Sequence, residues 1–400
     1  MRIGMMADIY KPHISGVTNY IALNKEYLEQ LGHQVFVFTF RDQNYQDKEE
    51  NIIRSRGIPI SDKGFTINVR YSKEARNLLQ TMDIAHVHHP FISGSLALSY
   101  CRRRGIPVVF TNHTRYDLYA QAYLPALVDV ISETAIEAFL PTFCRSVDLV
   151  VAPSEGMKKV LASLGVDAEI AVVPNGVDLR PFQNVQEKQD RAAFGIGSQD
   201  IILTFVGRLG PEKNLPFLLR SFAGAFQAYD HLYLFLIGEG PEKENLQDSV
   251  RYMGIADRVR FTGLIPYDQL PSYLAMTDGF VTASVTEVHP LSVIEAMAAG
   301  LPVVGIQSPG VGDTIVDGET GLLARDEDLA AYTAKLVRLV TDRDQRIEMG
   351  KQARLTVEKY SIERTVIEIL SYYQKVIQSS SGRKRSLRTR LNRLLDRWIG

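Results

Sequence analysis

A chain of 400 residues that is 45% apolar holds enough material for two or three domains with buried cores. Its formal charge of −1 argues against general affinity for nucleic acid, and two cysteines, Cys101 and Cys144, are too few for a disulfide framework. There is no run of roughly 18 apolar residues to span a bilayer, and MRIGMMADIY lacks the apolar stretch of a signal peptide. A reducing cytoplasm, with peripheral membrane contact only, is the expected setting.

Along the chain, short β-rich apolar runs alternate with helical patterns, the sequence form of parallel sheets covered on both faces. The first set is RIGMMA (2–7), QVFVFTF (34–40), IAHVHH (84–89), PVVFTN (107–112), LVVAPS (149–154) and IAVVPN (170–175). After the polar stretch NVQEKQDRAAFG comes a second set: IILTFVG (201–207), LYLFLIG (232–238), VRFTG (259–263), GFVTAS (279–284) and PVVGI (302–306). Between them PNGVDLRPF, with two prolines and a glycine, reads as the interdomain connection. The expected class is therefore α/β, with two doubly wound, Rossmann-like domains facing across a cleft. Helical patterns at 327–341, 343–359 and 361–378 close the globular part.

The first strand leads into ADIYKPHISGVTNY, whose single glycine, Gly16, cannot make the G-x-G-x-x-G of a nicotinamide site. Gly16 either lets the backbone approach a ligand or is a plain turn glycine. His113 follows the strand PVVFTN on the cleft rim, although a lone histidine is more often a packed residue. Arg208 and Lys213, in GRLGPEKN, follow a strand at its carboxyl end, where ligands bind in open parallel sheets. A solvated basic loop is the bland alternative. Arginine forks onto two phosphate oxygens and lysine acts as a compact charge, so the pair could cover a diphosphate without a metal. No D-x-D lies at a strand end, and Asp342 and Asp344 in TDRD read as helix caps, so no metal is expected.

Glu287 and Glu295 stand eight residues apart in SVTEVHPLSVIEAMAAGLPVVG, the first in a strand-to-helix loop and the second one turn into the helix. A first-turn glutamate is favoured by the helix macrodipole and needs no ligand. The same helix N-terminus, however, offers N–H groups to an anion. Two carboxylates beside such a seat suit a ligand with both hydroxyls and phosphate, and a nucleotide sugar fits.

This segment resembles the E-x7-E signature of the retaining GT-B glycosyltransferases (group 1, family four). YKPHISGV, TNHTRYD, VAPSEGM, VVPNGVD and FVGRLGPEKN follow in that family's order, over Met1 to about Ser379. The resemblance implies an acceptor-binding domain at 1–178, a nucleotide-sugar-binding domain at 183–360, a crossover helix at 361–378 bracing the first domain, and a tail at 379–400. It also implies that Arg208 and Lys213 stabilise the leaving diphosphate, that Glu295 receives the ribose hydroxyls, and that Glu287 and His113 lie near the transferred sugar. Gly16 would admit the diphosphate from the opposite domain. The donor is a substrate, and no separate cofactor is implied.

Two departures surround the sugar. His289 and Pro290 stand where the family has an aromatic or polar residue and then glycine. Proline removes one N–H, leaving those of Leu291 and Ser292, with the His289 imidazole as a substitute donor. SPGVGD (308–313) replaces a pair of adjacent glycines followed by a glutamate.

The charge is unevenly spread: residues 379–400 carry seven basic groups and one acid, net +6, leaving −7 for residues 1–378. Leu387, Leu391, Leu394, Leu395, Trp398 and Ile399 recur at helical spacing among those cations, the pattern of a helix lying on an anionic lipid surface. A nucleic acid or a protein partner could use the same pattern. SSSG before it reads as a flexible tether. Tyr116, Tyr119 and Tyr123 in HTRYDLYAQAYLP would share a helical face, as in the corresponding stretch of bacterial diacylglycerol glucosyltransferases, or are simply core.

The expected function is retaining transfer of a hexose, glucose from UDP-glucose, to a membrane lipid such as diacylglycerol. Mannosyl transfer from GDP-mannose is the alternative within the class, and a catalytically silent nucleotide-sugar binder is the alternative outside it.

Overall fold

The computed structural model describes all residues except 41–44, 57, 60–65, 68–69, 117, 119–132 and 400, with backbone alone at 58–59, 66–67, 133–137 and 381–399. Tyr119 and Tyr123 therefore lie outside the described residues.

The strands β1 (Arg2–Met6), β2 (Gln34–Phe40), β3 (Ile52–Ser55), β4 (Ile84–Val87), β5 (Val108–Thr111), β6 (Leu149–Ala152) and β7 (Ile170–Val172) form one sheet in the order β3-β2-β1-β4-β5-β6-β7, with every pairing parallel. A second parallel sheet holds β8 (Ile201–Val206), β9 (Leu232–Ile237), β10 (Val259–Gly263), β11 (Gly279–Val281), β12 (Val303–Ile306) and β13 (Gly321–Ala324), ordered β10-β9-β8-β11-β12-β13. Strands such as β9, buried at every position, read as unbroken apolar runs because helices cover both faces. In each sheet the order reverses beside the first strand, and the crevice at that switch point is where open α/β sheets bind ligands.

The edge strands β3 and β13 were not among the runs expected from the sequence. IIRS follows a polar stretch and is buried only at Ser55, while GLLA is short and opens on glycine, so neither stands out as an apolar strand.

Helix α1 (Gly16–Gln30) starts where the Ser15 hydroxyl accepts from the Thr18 N–H, and it stops before Gly32, whose φ of 81° is left-handed. The helices that matter below are α2 (Glu155–Ser163), α3 (Leu291–Ala298), α4 (Pro309–Thr314), α5 (Leu329–Thr341), α6 (Arg343–Thr356) and α7 (Ile362–Ile399). Asp342 caps α6 through the Gln345 N–H, as expected, whereas Asp344 lies inside the first turn of that helix rather than at its cap. No helix among the described residues is long and apolar enough to cross a membrane.

Helix α7 returns to the first sheet. Its Ile362, Val366, Ile369, Tyr373 and Val376 share one core with Ile3 and Met5 of β1 and Tyr20, Ile21 and Leu28 of α1. Truncating Ile369, which is 1% exposed, to alanine would cost about 2–5 kcal/mol. The backbone stays helical through Ser379, Ser380, Ser381 and Gly382 to Ile399. The flexible tether read from SSSG is thus replaced by a continuous helix, because serine is only mildly unfavourable in a helix that packing has already nucleated upstream.

The two domains are joined where the outgoing and returning chains cross. The Val177 N–H donates to the Tyr360 carbonyl and the Ile362 N–H to that of Val177, each at 3.0 Å. Gly176, in PNGVD, is required there: a Cβ would stand 2.1 Å from Thr365 Oγ1 and 2.8 Å from Ile362 Cα.

Candidate functional site

On the second domain, the loop after β8 carries Arg208 to the exposed rim and then makes a single 3-10 turn over Pro211–Lys213. Two hydroxyls of the loop after β11 hold this turn: Ser284 Oγ and Thr286 Oγ1 donate to the Glu212 carbonyl at 3.2 and 3.3 Å. The two loops are further joined by an ion pair between Lys213 Nζ and the Glu287 carboxylate, whose side chains are only 19% and 23% exposed. Burial alone would pull the Lys213 ammonium down; the charges of Glu287 and Glu212 and the hydrogen bond to Glu287 outweigh it, and the net shift is upward. Lys213 is thus a firmly protonated cation in a half-dry setting.

Gly310, inside the divergent SPGVGD, fixes the other side of Glu287. Its N–H donates to the Glu287 carbonyl at 3.1 Å, and a Cβ there would lie 2.4 Å from that oxygen. Helix α3 then begins after Pro290 with no side-chain cap, so Leu291 and Ser292 occupy its first two positions.

Glu295, one turn in, is 6% exposed and accepts from the Tyr267 hydroxyl at 2.8 Å. Burial raises its carboxyl to about 7, and the Tyr267 bond only partly offsets that. Sequence reasoning missed Tyr267, which is 28 residues away in an unremarkable IPYDQL stretch. His289 is 4% exposed and packs edge-on against Tyr360 at 4.7 Å, while its carbonyl accepts from Asn175 Nδ2 of the first domain at 3.2 Å. The imidazole is neutral, pushed down to about 3 by burial and by the Lys359 charge, and its Nδ1 has no partner among the described residues. His289 therefore sits at the seam between the domains.

Across the cleft, Gly16 opens α1 opposite α3. A Cβ on Gly16 would meet only Leu291 Cδ1, at an unstrained 3.9 Å. The protein itself leaves room for that Cβ, so any requirement for glycine comes from a ligand. His113 follows β5, half-buried, with its ring edge-on to Tyr20 at 4.7 Å and its Nε2 bonded to His88 Nδ1 at 3.0 Å. Tyr116 is core: it is 8% exposed, packed edge-on against Phe91 at 5.3 Å. His86 and His88 went unsingled in the sequence, yet their signal was there, since alternate histidines at a strand end share a face.

A second contact between the domains lies nearby. Asp313 of α4 caps α2, accepting from the Gly156 N–H at 2.5 Å, alongside the Ser154 cap on Met157. The rim of one domain thus carries two cations, two carboxylates and an uncapped helix start, and the rim of the other carries a helix start and buried imidazoles. Such a cleft can neutralise a departing diphosphate on one side and hydrogen-bond neutral hydroxyls on the other.

Two family models cover the chain: "Glycosyltransferase Family 4" matches residues 14–180 and "Glycosyl transferases group 1" matches residues 186–356. The chain is 29% identical over 375 residues to the alpha-monoglucosyldiacylglycerol synthase of Streptococcus pneumoniae, spanning 90% of this chain and 83% of that protein. It is 30% identical over 362 residues to the sulfoquinovosyl transferase SQD2 of Arabidopsis thaliana, spanning 87% and 68%. Among solved structures, that of Anabaena Alr3699/HepE in complex with UDP-glucose superposes with a TM-score of 0.73 at 18% identity, over 93% of this chain and 100% of that one.

Proposed function

We propose that this chain, which belongs to the GT-B glycosyltransferases of group 1 and family 4, moves glucose from UDP-glucose to a membrane lipid of the diacylglycerol class with retention at the anomeric carbon. The observation that carries the reading is the half-buried Lys213–Glu287 pair set beside the uncapped start of α3 and facing Gly16. Donor and acceptor are supported by the names of the relative from Streptococcus pneumoniae and of the UDP-glucose complex.

In this reaction the bond between glucose and diphosphate breaks, and charge grows on the leaving phosphate. Arg208 and Lys213 neutralise that charge, joined by the N–H groups of Leu291 and Ser292 and by close backbone approach at Gly16. Lys213 shares its charge with Glu287 until the donor arrives. The Glu295 carboxylate accepts from the ribose hydroxyls, Glu287 lies near the transferred sugar, and His113 bonds a sugar hydroxyl. His289 is the remaining candidate donor, through its unpartnered Nδ1. A donor phosphate oxygen takes the acceptor proton on the same face, so no enzyme base is required. The two cations replace a metal, and the basic tail holds the enzyme on the anionic inner face of the cell membrane.

A panel of nucleotide sugars with detergent-dispersed diacylglycerol tests this. Glucosyl lipid formed from UDP-glucose alone is the expected product; transfer from GDP-mannose, or binding without turnover, would overturn the donor or the activity.

A further inference from the structure

At the end of β4 the chain places His86 and His88 on one face, both fully buried, with their ring centroids 4.2 Å apart. His86 is satisfied at both nitrogens: Nδ1 by the Tyr373 hydroxyl at 2.5 Å and Nε2 by Thr111 Oγ1 at 2.7 Å. It ties α7 to the sheet. His88 differs. Its Nδ1 meets His113 Nε2 at 3.0 Å, but its Nε2 has no partner among the described residues. Tyr20 closes the cluster, edge-on to His88 at 5.6 Å and to His113 at 4.7 Å.

Burial pushes His88 and His113 well below the ordinary imidazole range, with neighbouring histidines adding to the shift, so both rings are neutral. A neutral imidazole carries one N–H, and the bond between the two rings can run in only two ways. If His113 donates, the proton of His88 sits on Nε2, a buried N–H with nothing to receive it. If His88 donates through Nδ1, its Nε2 is a bare lone pair. Orphaned buried N–H groups are rarer than under-satisfied acceptors, because an unmet donor loses its only bond with water on burial. The second direction therefore wins, and the consequence passes to His113: its Nε2 accepts, so its own proton lies on Nδ1.

We propose that His88 is a positioning residue that locks His113 as the Nδ1–H tautomer, giving the rim of the first domain a fixed hydrogen-bond donor. This rests on the reading that places His113 against a hydroxyl of the transferred sugar. There the locked N–H would meet an oxygen lone pair, with no tautomer change needed on binding.

The tautomer can be measured without any substrate. In protein labelled with 15N-histidine, which has eight histidines, long-range proton–nitrogen correlation distinguishes protonated from bare ring nitrogens, and loss of one spin system in His113→Gln assigns the signal. The expected result is a protonated Nδ1 and a bare Nε2 on His113; the reverse pattern in the unaltered protein overturns the proposal. His88→Phe should release His113 to its other tautomer and lower kcat about tenfold, the worth of one well-placed hydrogen bond, with KM for the donor changed less than about twofold. His88→Asn, whose amide can donate from near the Nδ1 position, should restore the tautomer and most of the lost turnover. An unchanged His113 tautomer in His88→Phe would refute the positioning role. A changed tautomer with unchanged kcat would instead refute the placement of His113 at the sugar.

Discussion

The two rims of the cleft are built on the same topology and do opposite electrostatic work. On the second domain, the Lys213 ammonium is held in a half-buried pair with Glu287, so charge is kept ready at the carboxyl end of β8. On the first domain, His86, His88 and His113 are stripped of charge by burial and keep only their hydrogen-bonding capacity. The contrast teaches that a doubly wound sheet supplies the location of a site, whereas depth and partners decide whether it handles charge or neutral hydroxyls. That division suits the proposed reaction, in which a diphosphate would leave on one side and a sugar be steered on the other.

Removing the charge from the second rim should have the largest effect. Lys213→Ala and Arg208→Ala are each expected to lower turnover by on the order of a hundredfold or more, with folding little changed. Steady-state kinetics on variants with unaltered circular dichroism decide this, and near-normal turnover in both would end their proposed role.

Deleting residues 380–400 should spare both rims, because the apolar α7 side chains packed into the core of the first domain end at Ile377. With about 1 kcal/mol per cation near an anionic surface, binding to anionic vesicles should be strong at low salt and lost in the truncated protein. Transfer to lipid held in vesicles should fall while slow hydrolysis of the nucleotide sugar persists. Equal co-sedimentation of both forms would assign the tail to another partner.

If Glu295 receives the ribose hydroxyls as proposed, Glu295→Gln should weaken donor binding by about tenfold at pH 8, since half of the amide is a donor where an acceptor is needed. For the unaltered enzyme, donor affinity should fall as the pH drops below about 7, where Glu295 takes up a proton, and the variant should lack that dependence. Stability should run the other way. The folded state binds this proton more tightly than the unfolded chain, so Glu295 favours folding below the ordinary carboxyl range and that contribution is lost as the pH rises to about 7. Thermal melts across this window should therefore decline more for the wild type than for Glu295→Gln; parallel curves would mean that Glu295 is not buried as described.

The smallest expected effect is none at all. Excess EDTA should leave turnover unchanged if Arg208 and Lys213 take the place of a metal, and recovery on adding magnesium or manganese would show otherwise.

Much of this was legible in the sequence. Eleven strands, the connection at PNGVDLRPF and the loops carrying Arg208, Lys213, Glu287 and His113 follow from apolar runs and from glycine and proline punctuation. The edge strands β3 and β13 were not: β3 is buried only at Ser55 and so lacks an apolar signature, and β13, though buried throughout, is four residues long and opens on glycine. The tether before the tail was misread for a related reason: SSSG favours a break locally, but a helix already nucleated by packing continues through it.

The sequence alone determined the two parallel sheets and which loops reach the cleft, since both depend on patterns a few residues long. Only the tertiary structure decided the state of each group there. Lys213 gains its counter-charge from a residue 74 positions away, His88 and His113 meet across 25, Glu295 takes its hydroxyl from Tyr267, and the His289 carbonyl is held by Asn175 of the other domain. Protonation and hydrogen-bonding direction are set by burial and by nearest neighbours in space, and neither is a property of any local stretch of chain.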